Sequence, residues 1–404
     1  MYSCGYSEPM TPTTDPRQPS AAALAWAQRL VRMNTVSRDS NLALIDCIAD
    51  HLRDLGVPLR LTYDATRRKA NLYATLGVGK PNGVILSGHT DTVPWDGQAW
   101  TLDPLSAEIR DGRLYGRGSA DMKGWIGLVV AQAQAWLEAD GPQALHFAFS
   151  YDEETGGFGA RGLIADLEAA GLLKNDAAPR LCIVGEPTSM VPAIAHKGVH
   201  RWRCCVRGKA AHSSLTPNAV NALEAAARVV AHIAGMADEL RDHAPRQTGF
   251  DVPYSTAAVC VIEGGIADNV VPEDCRFHYE FRDLPGADAA ALQARVAAYA
   301  ATLEGAMQAI EPSAGFRFEN IALMPSFQAG PDEPAVQLAQ RLAGTRQTTL
   351  VAFGTEAGLF QRAGLSTVVC GPGSINQAHQ ADEYVSLAQL AQAEVFLQGL
   401  VPHR

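Results

Sequence analysis

His89 and Asp91 stand in Ser87-Gly-His-Thr-Asp-Thr-Val-Pro94, just after an apolar run with the pattern of a buried strand. Strand side chains alternate, so His-x-Asp at a strand end can put both groups on one side. The imidazole can then ligate a metal while the carboxylate orients its other ring nitrogen. A hydrogen-bonded structural His is the competing reading. Asp121 closes the Gly-rich run Tyr115-Gly-Arg-Gly-Ser-Ala-Asp121 and precedes a helix, where it could equally be an N-cap. That run lacks the spacing of a phosphate-binding glycine loop. Glu153 and Glu154 follow the apolar stretch 145–151, within Tyr151-Asp-Glu-Glu-Thr-Gly-Gly157. Three adjacent acids repel one another unless solvated or bound to cations. On a surface they are a solvated loop; at the end of a central strand, where α/β folds place their sites, metal binding gains weight. Glu186, in Gly185-Glu-Pro-Thr188, again follows a buried strand. His379 lies in Gln377-Ala-His-Gln-Ala-Asp-Glu-Tyr384, after a Gly-Pro-Gly-Ser turn.

Each of these residues has an ordinary structural explanation taken singly. Together, four strand-terminal segments and one late loop each offer a carboxylate or an imidazole. Two His and three carboxylates suit a pair of Zn²⁺-type ions with open positions. Paired ions acidify water and polarise a carbonyl, and a free carboxylate must then move the proton to the leaving nitrogen. Adjacent glutamates fit that division, one for the metal and one for the proton.

The positioning elements are those of an interrupted α/β fold. Strand-like segments at 71–76, 83–87, 145–151 and 181–184 alternate with helical ones, including 123–139. The middle changes style. Segments 201–206, 255–262 and 275–282 look like an antiparallel sheet, with Ala-rich helices at 218–236 and 287–304. The first style then returns at 348–353 and 367–370. One domain is therefore expected to interrupt another: a tail over 1–20, a first catalytic part over 21–195, an inserted domain over 196–311 and a second catalytic part over 312–404.

Composition narrows the partners. Hydrophobic residues make up 47% and charged residues 19% of 404, an ordinary globular balance. The formal net charge of −10 argues against nucleic acid or an anionic membrane as partner. No apolar run approaches a membrane span, and no secretory leader is visible, so a cytoplasmic setting is expected. The eight cysteines are scattered without a CxxC pair, as expected of reduced thiols.

The motifs 88–94, 116–124, 153–156 and 185–188, in this order, resemble the dinuclear zinc amidohydrolase and peptidase family, over nearly the whole chain beyond residue 20. The family includes acetylornithine deacetylase, succinyl-diaminopimelate desuccinylase, carboxypeptidase G and aminoacylase. The resemblance implies an aminopeptidase-like catalytic domain, a mixed sheet flanked by helices, interrupted by a two-layer α/β lid that forms a homodimer. It implies that His89 and Glu186 bind one ion, that Glu154 and His379 bind the other, and that Asp121 bridges them. Zn²⁺ would be the ion, with Co²⁺ also supporting activity. Asp91 would orient His89, and Glu153 would be the general base and acid. His212 of the lid would stabilise the oxyanion, Arg282 would hold a substrate carboxylate, and Asn269 would also reach the substrate. The peptide after the bridging carboxylate, Asp121–Met122, would be cis.

Within the family, the runs 185–189, 195–198, 252–254, 355–357 and 371–380 are most similar to the acetylornithine deacetylase branch. That similarity implies a substrate of the N-acyl amino acid class, N-alpha-acetyl-L-ornithine, in arginine biosynthesis. Glu356 would then meet the δ-ammonium of ornithine, or else be a helix-start carboxylate. The alternatives are a broader N-acyl-amino-acid hydrolase or dipeptidase, and a catalytically inactive binding relative. The latter would typically have lost a ligand or Glu153, and none is lost.

Overall fold

Continuous apolar runs become strands buried on both faces, as central parallel strands must be. In the computed structural model, which describes residues 17–401, Gly83–His89 and Leu145–Ser150 are buried throughout. They lie in a nine-stranded mixed sheet. Gly83–His89 pairs in parallel with Leu145–Ser150 on one side and with Pro179–Pro187 on the other. Ser366–Gly371 extends the parallel set beyond Pro179–Pro187. Antiparallel strands Leu59–Tyr63 and Ala70–Leu76 finish one edge. Because four central strands run the same way, their carboxyl ends open onto one edge of the sheet, where an open α/β fold gathers ligand groups.

Helix Lys123–Ala131 lies against this sheet and is buried on nearly every side. Two glycines allow the fit. A Cβ on Gly185 would fall 2.2 Å from the Trp125 ring, and one on Gly127 would fall 2.6 Å from the backbone of Ala27 in helix Ala21–Val31. Trp125 Nε1 also donates to the Ser87 carbonyl at 3.0 Å. The helix that follows Asp121 is thereby locked to the strand that ends in His89.

A second core belongs to a four-stranded antiparallel sheet in the order Thr256–Gly264, Asp274–Arg282, Val199–Arg207, Gly315–Met324. Strand Asp274–Arg282 alternates with period two, burying Cys275, Phe277, Tyr279 and Phe281. Helices Ala222–His243 and Ala289–Gln308 contribute Val229, Ile233, Met236, Val296 and Ala300 to the same core. Asn221 and Asp288 cap them, accepting from Leu223 and Glu224 N–H (both 3.1 Å) and from Ala291 N–H (3.0 Å).

The sequence places the return crossing at 312, and the structure moves it. Gly315–Met324 is an outer strand of this second sheet, and the chain rejoins the large sheet only at Phe327–Gln328. Gly315–Met324 covers the core from one edge and is largely half-exposed, so it carries no apolar run to mark it. Two helix boundaries also shift. The expected 123–139 divides at Gln132, and the expected 218–236 starts at Ala222 and continues to His243.

The seven described cysteines are free thiols; Cys4 lies outside the described residues, as does most of the 1–20 stretch. Among the described residues no helix is long and apolar enough to cross a membrane.

Candidate metal centre

Every proposed ligand reaches the carboxyl edge of the parallel strands. His89 ends its strand, and Glu186 is the penultimate residue of Pro179–Pro187. Glu153 and Glu154 form the turn after Leu145–Ser150, and His379 lies in the loop after Ser366–Gly371. Asp121 closes the loop before helix Lys123–Ala131, and the peptide bond between Asp121 and Met122 is cis.

The side chains sort into two triads that share one residue. His89, Asp121 and Glu186 offer ligand atoms within 4.8 Å of one another, and so do Asp121, Glu154 and His379. Asp121 gives one oxygen to each. Oδ1 is 2.9 Å from His89 Nε2, and Oδ2 is 3.1 Å from His379 Nε2. His379 Nε2 is also 3.1 Å from Glu154 Oε1, and His89 Nε2 is 3.8 Å from Glu186 Oε1.

The electrostatics call for cations. Burial raises the Glu153 and Glu186 carboxyls well above their ordinary range, and neighbouring carboxylates add to it, against the opposing pull of His89. Burial alone would deprotonate His89, yet its hydrogen bond to Asp121 and the nearby Asp91 carboxylate raise it well above its usual value. Against the same burial, hydrogen bonds to Asp121 and Glu154 push His379 up to about 11. Positive charge is thus what the carboxylates draw in. A donor set of imidazoles and carboxylates matches a pair of divalent ions of the Zn²⁺ type.

Asp91 orients His89 by a different route from the one expected. His89 Nδ1 meets the Asp91 backbone carbonyl at 2.9 Å, whereas the carboxylate lies 3.6 Å away. That carboxylate accepts instead from Ser37 Oγ (2.7 Å), Glu153 N–H (3.1 Å) and Glu154 N–H (3.3 Å). Asp91 therefore fixes His89 through its main chain and the Glu153–Glu154 turn through its side chain. Among the described residues, no hydrogen bond engages the Glu153 carboxylate itself, which leaves it available for proton transfer.

The residues expected to touch substrate are scattered. Glu356 is 1% exposed, with one oxygen on Ser87 Oγ at 3.1 Å and the other on Ser150 Oγ. It is buried where the strands that carry Ser87 and Ser150 end, close enough for the charges of His89 and Asp91 to act on it. His212 and Asn269 come together in the second unit. Ala211–His212 pairs with Val270–Val271, and Ser213 N–H donates to the Asn269 carbonyl at 2.9 Å. Both side chains are exposed, and His212 Nδ1 lies 2.8 Å from Ser214 Oγ. Among the described residues, no hydrogen bond or ion pair links either one to the two triads. The Arg282 guanidinium rests on Glu280 at 3.1 Å.

Sequence reasoning passed over Ser37 and the groups behind the ligand loops, Gln98, Arg117 and Glu383. Glu383 stands in the run that contains His379, but nothing in that run marks it apart from Asp382 beside it.

Residues 85–403 match the model of peptidase family M20/M25/M40. The chain belongs to this family. Among solved structures, the M20 family metallo-carboxypeptidase Sso-CP2 from Sulfolobus solfataricus matches at 16% identity with a TM-score of 0.72, over 94% of this chain and 99% of that one. Human carnosine dipeptidase 1 matches at 17% identity and TM-score 0.70, over 93% and 95%. A dinuclear metal binding peptidase of the M20 family, the Bacillus subtilis YXEP protein, matches at 16% identity and TM-score 0.57, over 95% and 98%. At such identities the likeness is one of fold. Family membership and the two triads make this M20 chain a metal-dependent hydrolase of the peptidase and amidohydrolase type.

Proposed function

We propose that the chain hydrolyses the amide bond of a small N-acyl amino acid, foremost N-alpha-acetyl-L-ornithine, releasing acetate and ornithine. One observation carries the reaction type: Glu153, a buried carboxyl to which no hydrogen bond is made among the described residues, beside two triads that share Asp121. His89, Glu186 and Asp121 would hold one ion, and Asp121, Glu154 and His379 the other. When bound, such ions acidify water and polarise the scissile carbonyl. Glu153 takes the proton from the attacking water as the C–O bond forms. It returns that proton to the nitrogen as the C–N bond breaks. Arg282 and Asn269 would bind the amino-acid carboxylate end, and His212 would donate to the oxyanion. In this reading the exposed His212 serves the site of a second subunit, in a homodimer formed through the second unit.

The acetylornithine substrate rests on the runs 185–189, 195–198, 252–254, 355–357 and 371–380. The dipeptidase reading has its own support. Glu356, the acid that would single out ornithine, is buried with both oxygens on serine hydroxyls. Two solved neighbours, human carnosine dipeptidase 1 and the yeast di-peptidase Dug1p, are dipeptidases by name. Steady-state kinetics on acetylornithine, acetylmethionine and a set of dipeptides, with metal content measured on the same sample, separates the readings. The deacetylase reading expects the highest kcat/KM on acetylornithine. A dipeptide with the higher value ends it.

A further inference from the structure

We infer that Glu383 is a positioning residue for the metal centre, tying the loop that carries Asp121 to the segment that carries His379. Its Oε1 accepts three backbone N–H groups, from Gly118 (3.1 Å), Ala120 (3.0 Å) and Asp121 (3.2 Å). Its Oε2 accepts from Arg117 Nη1 at 2.6 Å, and its own carbonyl accepts from Gly116 N–H at 2.9 Å. Glu383 and Arg117 are each 1% exposed. A carboxylate buried this deeply persists only when its acceptor sites are filled, and here backbone donors and one guanidinium fill them.

Three N–H groups converge on one oxygen only while residues 116–121 keep their turn. Gly116 and Gly118 supply it, at φ +143° and +87°. One of the three donors is the amide of Asp121, so the carboxylate that serves both triads is held at its own backbone. The same network reaches His379 from behind. Arg117 Nη2 donates to Gln98 Oε1 at 2.6 Å, and Gln98 Nε2 donates to the His379 carbonyl at 2.8 Å. Trp100 closes it, with Nε1 on Gln98 Oε1 at 3.0 Å and its ring 5.1 Å from the Arg117 guanidinium carbon. The shared ligand and one outer ligand of the second triad therefore hang from one buried acid. Loss of that acid leaves three buried N–H groups without an acceptor. The turn must open to satisfy them, and Asp121 moves with it.

The proposal rests on the two-ion reading of the site, and the test separates them. Wild-type, Glu383→Gln and Glu383→Ala proteins are stripped, and Zn²⁺ affinity and stoichiometry are measured by competition with a chromogenic chelator. Thermal midpoints are recorded on the same samples. Wild-type protein that binds no Zn²⁺ would end the two-ion reading itself. If it binds two ions, Glu383→Ala is expected to weaken at least one of them by roughly 10–100-fold. Glu383→Gln, which keeps an acceptor oxygen, should weaken it less, and kcat should fall in both with KM little changed. Folded Glu383→Ala and Glu383→Gln proteins that keep two ions at wild-type affinity overturn the proposal, whatever their thermal midpoints. If neither variant can be purified folded, the half-buried Gln98→Ala decides. A several-fold weaker second ion is then expected, and unchanged affinity overturns the proposal.

Discussion

The two ends of the central parallel strands surround buried histidines with opposite electrostatics. His146, second in Leu145–Ser150, is 4% exposed, and burial lowers it to about 4. His89, last in the neighbouring strand, is 1% exposed, yet its carboxylate partners raise it well above its usual value. Burial is common to both, so the partners set the direction of the shift. His146 Nδ1 faces neutral hydroxyls, Tyr73 at 2.8 Å and Thr75 at 3.0 Å. His89 faces Asp121, with Glu186 and Glu153 behind it. The sheet is thus built with one end that draws positive charge and one that excludes it.

Removing the cations from the charged end should have the largest effect. Chelation is expected to abolish hydrolysis, and Zn²⁺ or Co²⁺ should restore it. Full activity in demonstrably metal-free protein would break the comparison at its root. Next in size is Glu153→Gln, which keeps the shape and removes the proton acceptor. We expect kcat to fall by roughly 10²–10⁴-fold with metal content near wild type. A lost ion in this variant would instead mean that Glu153 is a ligand and that its role and that of Glu154 are exchanged.

The exposed pair His212 and Asn269 sharpens the contrast, since the triads are complete within one chain and these residues are not part of them. His212→Ala is expected to lower kcat by roughly 10²–10³-fold, the range for loss of an oxyanion donor. Mixing Glu153→Gln with His212→Ala subunits, then dissociating and reassociating them, tests whether His212 acts across a two-fold axis. Random pairing should return about a quarter of wild-type activity, because one site of each heterodimer is intact. With subunit exchange verified, a mixture as inactive as its parts would assign His212 to its own chain or to no catalytic role.

His89, Glu154 and Glu186 were legible because each stands at or just beyond the end of a buried strand, and parallel pairing then makes those ends neighbours. Asp121 needed the joint pattern, since alone it is a plausible cap. What was not legible depends on contacts between segments far apart in sequence. The bonds of Glu356 to Ser87 and Ser150 were hidden because nothing near it in sequence announces those hydroxyls. The Asp91 carboxylate looked like the partner of His89 because Ser37 and the amides of the Glu153–Glu154 turn compete for it only in three dimensions. Gly315–Met324 escaped notice because an outer, half-exposed strand needs no apolar run.

Glu356 offers a smaller test. Glu356→Gln removes a buried charge that two hydroxyls satisfy, so the loss should appear in stability, by about 1–3 kcal/mol. Activity on acetylornithine and on acetylmethionine should then fall by similar factors. A selective loss on acetylornithine would place Glu356 against the substrate ammonium.

The smallest effect is expected at the neutral end and appears only as a slope. His146 titrates near 6.5 when unfolded and at about 4 in the fold. Between those values the unfolded chain binds the extra proton, so stability rises with pH across that window. The contribution is complete above about pH 6.5 and is lost as the pH falls toward 4, on the order of 3 kcal/mol in all. His196, also lowered to about 4 by burial, adds a similar slope in the same window. Wild-type denaturant midpoints should therefore drop steeply between pH 6.5 and 4.5. His146→Gln should be less stable at pH 7.5, yet its midpoint should fall less over that interval. A Cβ at Gly83 would stand 2.4 Å from His146 Nε2, so this pocket has no room for a compensating partner on that side. If the variant and the wild type lost stability in parallel, His146 would not be held neutral, and the difference between the two ends of the sheet would not be one of charge.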